Sequence, residues 1–326
     1  MISSLATIFL FLFGVYAAAQ ANAGPNASRS AADRLGYPKG ARLLVIQGED
    51  VGMAHSVDRA TLQALEKGWI TTANVLVPGP WFPEVIRWSR SHPNADLGVQ
   101  LDLNSDWNSM CWRPISNQSP EGGLVDQFGW FPASDKYVAA HAKADAVLTE
   151  VRAQMEMARR AGLPISHIDH HMHVMLWSPM LFRAYWQMGR DYNLPIMLPH
   201  EQVRMRGTPT AKQDIYSLGG VDVDMHDFPL DRFLEVRPGL AQKDWLNAYE
   251  KTLESLPPGV YLLSVHLGLN DEELKAMTWD HPEWGAQWRQ NDYDVVSSPE
   301  FHQFLKDKGF ILIGWKELKK AIGEHP

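Results

Sequence analysis

The stretch Arg42-Leu43-Leu44-Val45-Ile46-Gln47-Gly48-Glu49-Asp50-Val51-Gly52 decides the architecture. Residues 42–47 form a short apolar run ended by glycine, which reads as a buried strand. Two carboxylates follow at once, so this strand delivers acidic groups at its C-terminal end. Working outward, runs of the same kind lie at 73–77, 97–103, 165–168, 195–198, 260–265 and 310–313, and helical patterns separate them. That alternation is the mark of a parallel α/β arrangement. Ser56 is expected to cap a helix over 57–67 that Gly68 stops, and residues 137–161 form the longest helix, ended by Gly162. Ser178-Pro179 opens a helix to about 192, and Ser298-Pro299 opens another to about 308. Segments 104–134 and 201–239 lack periodicity and are too long for ordinary connections, so they are expected to shape a substrate site, with one further strand hidden in the second. Seven visible strands and one hidden strand predict an α/β fold of the irregular (β/α) barrel type, TIM-like and single-domain. A doubly wound open sheet is the alternative.

The chain has 326 residues, 45% hydrophobic and 21% charged, which excludes a disordered tail, a fibrous repeat and a polytopic membrane protein. The formal charge is −8 and the basic residues are scattered, so a nucleic-acid partner is not expected. A single cysteine, Cys111, allows no intramolecular disulfide and no thiolate zinc cage. Any metal must then be held by histidine, carboxylate or amide oxygen. Residues 1–23 carry no Asp, Glu, Lys or Arg, and the apolar stretch 5–19 is followed by the small-residue pattern Ala21-Asn22-Ala23. This reads as a secretory signal peptide, with 24–326 as the exported domain, periplasmic or extracellular, and no membrane partner once the signal is removed. An uncleaved anchor is the rival, although the run is short for a bilayer crossing.

In a parallel barrel the functional groups gather at the C-terminal edge of the strands. Glu49-Asp50 is the first candidate: one carboxylate can bind a cation while the other takes a proton from water, although alone the pair reads as an acidic turn. His167-Ile168-Asp169-His170-His171-Met172-His173 places four histidines in seven residues. A strand period of two puts His167, Asp169 and His171 on one face, where imidazole can ligate a zinc-like ion and Asp169 can orient a ring. Gln100 and Asp102 lie on the run 97–103, and His266 leaves the run 260–265 where it can protonate a leaving group. His55 follows the acidic loop and either joins the site or simply precedes the Ser56 cap. Trp107, Trp112 and Trp130, in the segment 104–134, are sugar platforms or packing residues.

Several stretches together resemble the YdjC-like carbohydrate deacetylases: Gly48-Glu49-Asp50-Val51-Gly52-Met53-Ala54-His55-Ser56-Val57, Val77-Pro78-Gly79-Pro80-Trp81-Phe82, Leu97-Gly98-Val99-Gln100-Leu101-Asp102, His167-Ile168-Asp169-His170-His171 and Val265-His266-Leu267-Gly268. The resemblance spans nearly all of the mature chain. It implies a metal-dependent hydrolase on an irregular (β/α) barrel that removes acetyl groups from N-acetylated sugars or oligosaccharides. In that scheme Glu49, where the family has Asp, is the base, and His266 is the acid. Asp50, Gln100 and His171 hold a divalent ion, zinc or magnesium. His55, Trp107, His167, Asp169 and His173 contact substrate or support these groups. The family's histidine in its Gly-x-His-Leu motif falls here on Gln100, a weaker donor to zinc-like ions and better matched to magnesium or calcium. That departure sets a second expectation beside the first, a catalytically impaired member that binds carbohydrate without hydrolysing it. A homodimer is left open.

Overall fold

The computed structural model describes residues 31–108, 110–198 and 230–321. The segment read as a signal peptide and most of the stretch 201–239 lie outside the described residues. All but one of the apolar runs form strands: β1 (Arg42–Val51), β2 (Thr72–Leu76), β3 (Leu97–Leu101), β4 (Ile165–His170), β6 (Gly259–Val265) and β7 (Phe310–Leu312). The expected hidden strand is β5 (Arg232–Glu235). The exception is 195–198, where Ile196 makes a single bridge to Ile168.

Every pairing is parallel, in the order β4-β3-β2-β1-β6-β5, with β7 lying against the first residues of β1. The outer edges of this order turn toward one interior. Met197, next to the bridge on β4, shares a buried cluster with Leu43, Val45, Leu230, Val260 and Leu262, against which Phe233 of β5 packs. An open doubly wound sheet would keep those edges apart, so the curled, sequential order fits the irregular barrel. Alternate residues of β1 serve the two faces: Leu43 and Val45 point inward, while Leu44 and Ile46 pack outward under the helices His55–Lys67, Ala286–Ser297 and Pro299–Asp307.

The helix ends differ from expectation at two places. The first helix begins at His55 with Ala54 at its N-cap, and the Ser56 hydroxyl bonds to Glu273 and Asp271 instead of capping. The long helix expected over 137–161 is two, Asp135–His141 and Ala144–Ala161. Ala142 and Lys143 are extended between them, and the Lys143 N–H is drawn to the Gly122 carbonyl. Ser178 and Ser298 do cap, each accepting from a backbone N–H three residues on. No helix among the described residues is long and apolar enough to cross a membrane.

Trp315, just after β7, fills the barrel interior beneath Gln47 and His167. Fully buried beside Ile313 and Leu318, it stacks on the His167 ring (centroids 4.7 Å apart, planes 13° apart) and donates its indole N–H to Gln47 Oε1 at 2.6 Å. Trp315→Ala should therefore lower unfolding free energy by about 3–5 kcal/mol in urea titration, as expected for a large aromatic lost from a packed core. A change within about 0.5 kcal/mol, the range of a surface substitution, would contradict this packing.

Candidate active site

Glu49 and Asp50 are neighbours on β1, and in a regular strand they would face opposite sides of the sheet. The β1–β2 register shifts between Gly48 and Val51, and Asp50 takes a left-handed backbone (φ 62°), which Asp tolerates better than most residues. This bulge turns both carboxylates into one cavity of about 410 Å³ at the strand C-termini. Gln100 of β3, Asp169 and His170 of β4, Glu235 of β5 and Ser264 of β6 line the same cavity. Met172 (φ 48°) and His173 (φ 55°) bend the chain after β4 and leave His171 and His173 at the same wall.

Glu49 and Asp169 form a buried pair held by shared amides. The Gln47 Nε2 group donates to Glu49 Oε1 at 2.9 Å and Asp169 Oδ2 at 2.6 Å, and Asn74 Nδ2 donates to Glu49 Oε2 and Asp169 Oδ2, both at 2.7 Å. Each amide is oriented from behind. The Trp315 indole can only donate, so Gln47 presents its oxygen there and its NH2 to the carboxylates. His167 Nε2 lies 2.7 Å from Asn74 Oδ1 and fixes that amide in the same sense. Burial holds the His167 ring well below the usual imidazole range, so it is neutral. Ser264 adds a hydroxyl to Glu49 at 3.1 Å. Burial, then the like charge of Asp169, hold Glu49 well above the usual carboxylate range, against the opposing bonds from Gln47 and Asn74. Asp169 is pushed up to about 7, chiefly by burial.

Asp50 has a different surrounding. Its Oδ2 pairs with Arg289 Nη2 at 2.8 Å, with both side chains almost wholly buried, and its Oδ1 lies 3.2 Å from His171 Nδ1. The other ring nitrogen of His171 lies 3.0 Å from Asp106 Oδ1. Burial opposes charge on both Asp50 and His171. For Asp50, Arg289 and then His171 outweigh it and hold the carboxyl well below its usual range. For His171, Asp106 and then Asp50 outweigh it and hold the imidazole well above its usual range. Asp50 and His171 are thus a charged pair.

His266 lines the cavity, tilted against Trp288 with centroids 4.7 Å apart, and its backbone N–H is held by Asp292 at 2.9 Å. Burial lowers its ring to about 3, with Asp50 opposing and Arg289 adding to the effect. The acid role expected for His266 requires an imidazolium, and this ring is neutral. His170, which the sequence reading left without a role, is also neutral, lowered to about 4 by burial.

Other expected site residues are distributed as follows. His173 lines the cavity edge-on to Phe233, while His167 sits behind it on Trp315. His55 lies outside the cavity, where its ring pairs with Glu84 at 2.8 Å and packs on Trp81. Trp107 lines the cavity but is buried, which corrects its expected role as an open sugar platform. Trp112 is tied to Asp102 by its indole N–H, and Trp130 carries the Arg113 guanidinium at 4.4 Å, so both serve the loop. The groups missed were Arg289, Asp106, Asn74, Gln47, Trp284 and Trp288. Gln47 was visible only as the last residue of a strand, and Arg289 lies on a helix with no motif around it.

A family model described as YdjC-like protein matches residues 43–307. The chain belongs to the YdjC-like family. A carbohydrate deacetylase from Thermus thermophilus is 30% identical to this YdjC-like chain over 290 residues, which cover 89% of this chain and 98% of that protein. A chitooligosaccharide deacetylase from Serratia marcescens is 22% identical over 278 residues, covering 85% and 99%. Among solved structures, a protein from Enterococcus faecalis V583 superposes with a TM-score of 0.68 at 20% identity, covering 85% of this chain and 99% of that one, a likeness of fold.

The divalent ion that the YdjC-like resemblance implies does not fit the donors present. The Asp50 backbone N–H donates to Gln100 Oε1 at 3.1 Å, which fixes the amide so that its NH2 faces Asp50 Oδ1 at 3.2 Å and Glu49 Oε2 at 3.3 Å. A donor therefore stands where a ligand oxygen is required. Both nitrogens of His171 face carboxylates, and a ring that donates through both has no lone pair for a metal. Arg289 already pairs with Asp50. Among the described residues no three His, Cys, Asp or Glu side chains form a metal-holding group.

A double-mutant cycle tests the buried pair. Arg289→Met and Asp50→Asn should each cost about 3–5 kcal/mol in denaturant unfolding, because each strands a buried charge or its partner. The double variant should cost clearly less than the sum. Additive losses would mean that the two side chains do not interact.

Proposed function

We propose that this chain hydrolyses the N-acetyl group of an N-acetylated carbohydrate, with Glu49 as the proton-transfer group. The observation that carries this reading is the buried Glu49 carboxylate, set beside Asp169 in the cavity wall, with a raised affinity for a proton. A base of this kind draws a proton from water near neutral pH more readily than an exposed glutamate does. The family membership and the deacetylase names of its relatives support the same reaction. Trp284, half-buried at the cavity wall, gives it an aromatic face suited to a sugar ring.

Glu49 takes a proton from a water molecule whose oxygen bonds to the acetyl carbonyl carbon. The carbonyl π pair moves onto oxygen as the tetrahedral intermediate forms. When that pair returns, the C–N bond breaks, and the nitrogen receives the proton that Glu49 had taken. Acetic acid and the free amine leave, and they ionise to acetate and ammonium in solution. One carboxyl thus serves both steps, as the neutral His266 ring has no imidazolium proton to give. Gln47, Asn74 and Ser264 hold Glu49 in place through the cycle.

Acetate release from N-acetylated glucosamine oligomers is the direct assay. Glu49→Gln should lower kcat/KM by about 10²–10⁴-fold while circular dichroism and melting stay close to wild type. Wild-type activity matched by Glu49→Gln would remove Glu49 from the chemistry. A second reading, carbohydrate binding without hydrolysis, is favoured by Gln100 and by the engagement of Asp50 with Arg289. It predicts no acetate release and equal sugar affinity in wild type and Glu49→Gln by calorimetry.

The pH profile follows from the sign of the Glu49 shift. The base acts unprotonated, and its raised pKa means that kcat/KM is lost as pH falls through a value above the ordinary 4.5 of glutamate. An acid limb at or below that value would show that Glu49 is not held in the environment described.

A further inference from the structure

We propose that Arg289 is the electrophile of this site: its guanidinium, anchored on Asp50, donates to the acyl oxygen of the bound substrate, and the chain uses no resident divalent cation. The catalytic part rests on the deacetylase reading; the metal-free part does not.

Three observations on Arg289 converge. Its Nη2 is fixed on Asp50 Oδ2 at 2.8 Å, yet Nε and Nη1 are buried with no hydrogen-bond partner among the described residues, although the side chain lines the cavity. Buried donors left unpaired cost stability, and such groups in a cavity wall are paired when a ligand supplies an oxygen. The guanidinium carbon lies 6.0 Å from the Trp107 ring centroid and 5.8 Å from that of Trp288, so two indoles hold the charge in position. Space for its stem is made by Gly268, where an added Cβ would stand 3.1 Å from Arg289 Cβ and 2.6 Å from Leu274 Cδ2.

The charge arrangement agrees. Arg289 is a positive group already paired to the carboxylate expected to bind metal, and the amide of Gln100 turns its NH2 toward the other oxygen of that carboxylate. A fixed cation and fixed donors in the cavity wall can hold the negative charge that develops on the acyl oxygen. Arginine suits this better than lysine, since one face of its planar fork can bind Asp50 while its remaining N–H groups reach the substrate.

Metal content is the first test, and it needs no turnover. Protein incubated with zinc, magnesium, manganese or cobalt and then desalted should carry only trace metal by plasma mass spectrometry, and wild-type acetate release should be unchanged by EDTA. One ion per chain, or activity lost to EDTA and restored by a divalent ion, would overturn the proposal. The second test is the residue. Arg289→Lys keeps the charge and should lower kcat by about 10²–10³-fold with little change in KM, the loss expected for one oxyanion donor. For Arg289→Ala, added guanidinium ion should restore part of kcat, which a merely structural role would not allow. Unchanged kcat in Arg289→Lys, or no response to guanidinium in a folded Arg289→Ala protein, would remove Arg289 from the reaction. If the wild type releases no acetate, calorimetry with acetate as probe replaces the kinetic arm. Binding that survives EDTA and weakens about tenfold or more in Arg289→Lys supports the donor role, and binding unaffected by that change contradicts it. Silence in the acetate assay thus counts against the deacetylase reading, while metal uptake counts against this one.

Discussion

Three carboxyls, Glu49, Asp50 and Asp169, are buried within one barrel mouth, and the rest of the site is arranged around what that requires. Buried carboxyls must be neutralised, paired or given hydrogen bonds. This chain applies different solutions side by side. Glu49 and Asp169 share the N–H groups of two side-chain amides and have raised affinity for protons, while Asp50 is matched by Arg289 and His171 and stays charged. Two adjacent residues of one strand thus acquire opposite chemistry from their neighbours. Only the bulge at Gly48–Val51 makes this possible, because without it they would face different sides of the sheet.

The orientation of the amides links this site to the packed interior of the barrel beneath it. The Trp315 indole turns Gln47, and His167 turns Asn74, so that their NH2 groups meet the carboxyls. The stack of His167 on Trp315 is therefore a packing contact with a chemical outcome. A second line of support comes from the loop after β3, which delivers Asp106 to His171 and Trp107 to the cavity. That loop is pinned at its base by Gln154, which bonds to both backbone groups of Asp102, and further along by Glu150, which accepts from the N–H groups of Ile115 and Ser116.

Much of this was legible in the sequence, because short apolar runs ending in polar residues report both the strand and the place where its chemistry emerges. The parallel α/β order, the hidden strand before Gly239 and the meeting of Glu49, Asp50, Gln100, His171 and His266 at one rim are all readable in this way. What sequence periodicity conceals is direction. The strand period brings His167, Asp169 and His171 to the interior as expected, but it gives no sign of the left-handed residues Met172 and His173, which bring His173 to the same wall. The ligand reading of Asp50 and Gln100 fails for a related reason: the partner that defines Asp50 is Arg289, 239 residues away on a helix whose own pattern gives no hint of a site. Position along the chain points Trp107 and His55 toward the site, whereas burial of one and a surface ion pair on the other decide their roles.

The account comes down to how an acyl group sits between Glu49 and Arg289, and a crystal structure of the Glu49→Gln protein soaked with an N-acetylated glucosamine oligomer shows that directly. The predicted result is an acetyl oxygen within hydrogen-bond distance of Arg289 Nε or Nη1, the residue 49 side chain facing the carbonyl carbon, and Asp50 still paired with the guanidinium. An acetyl group bound away from Arg289, or a divalent ion lying between Asp50 and the carbonyl oxygen, would contradict it.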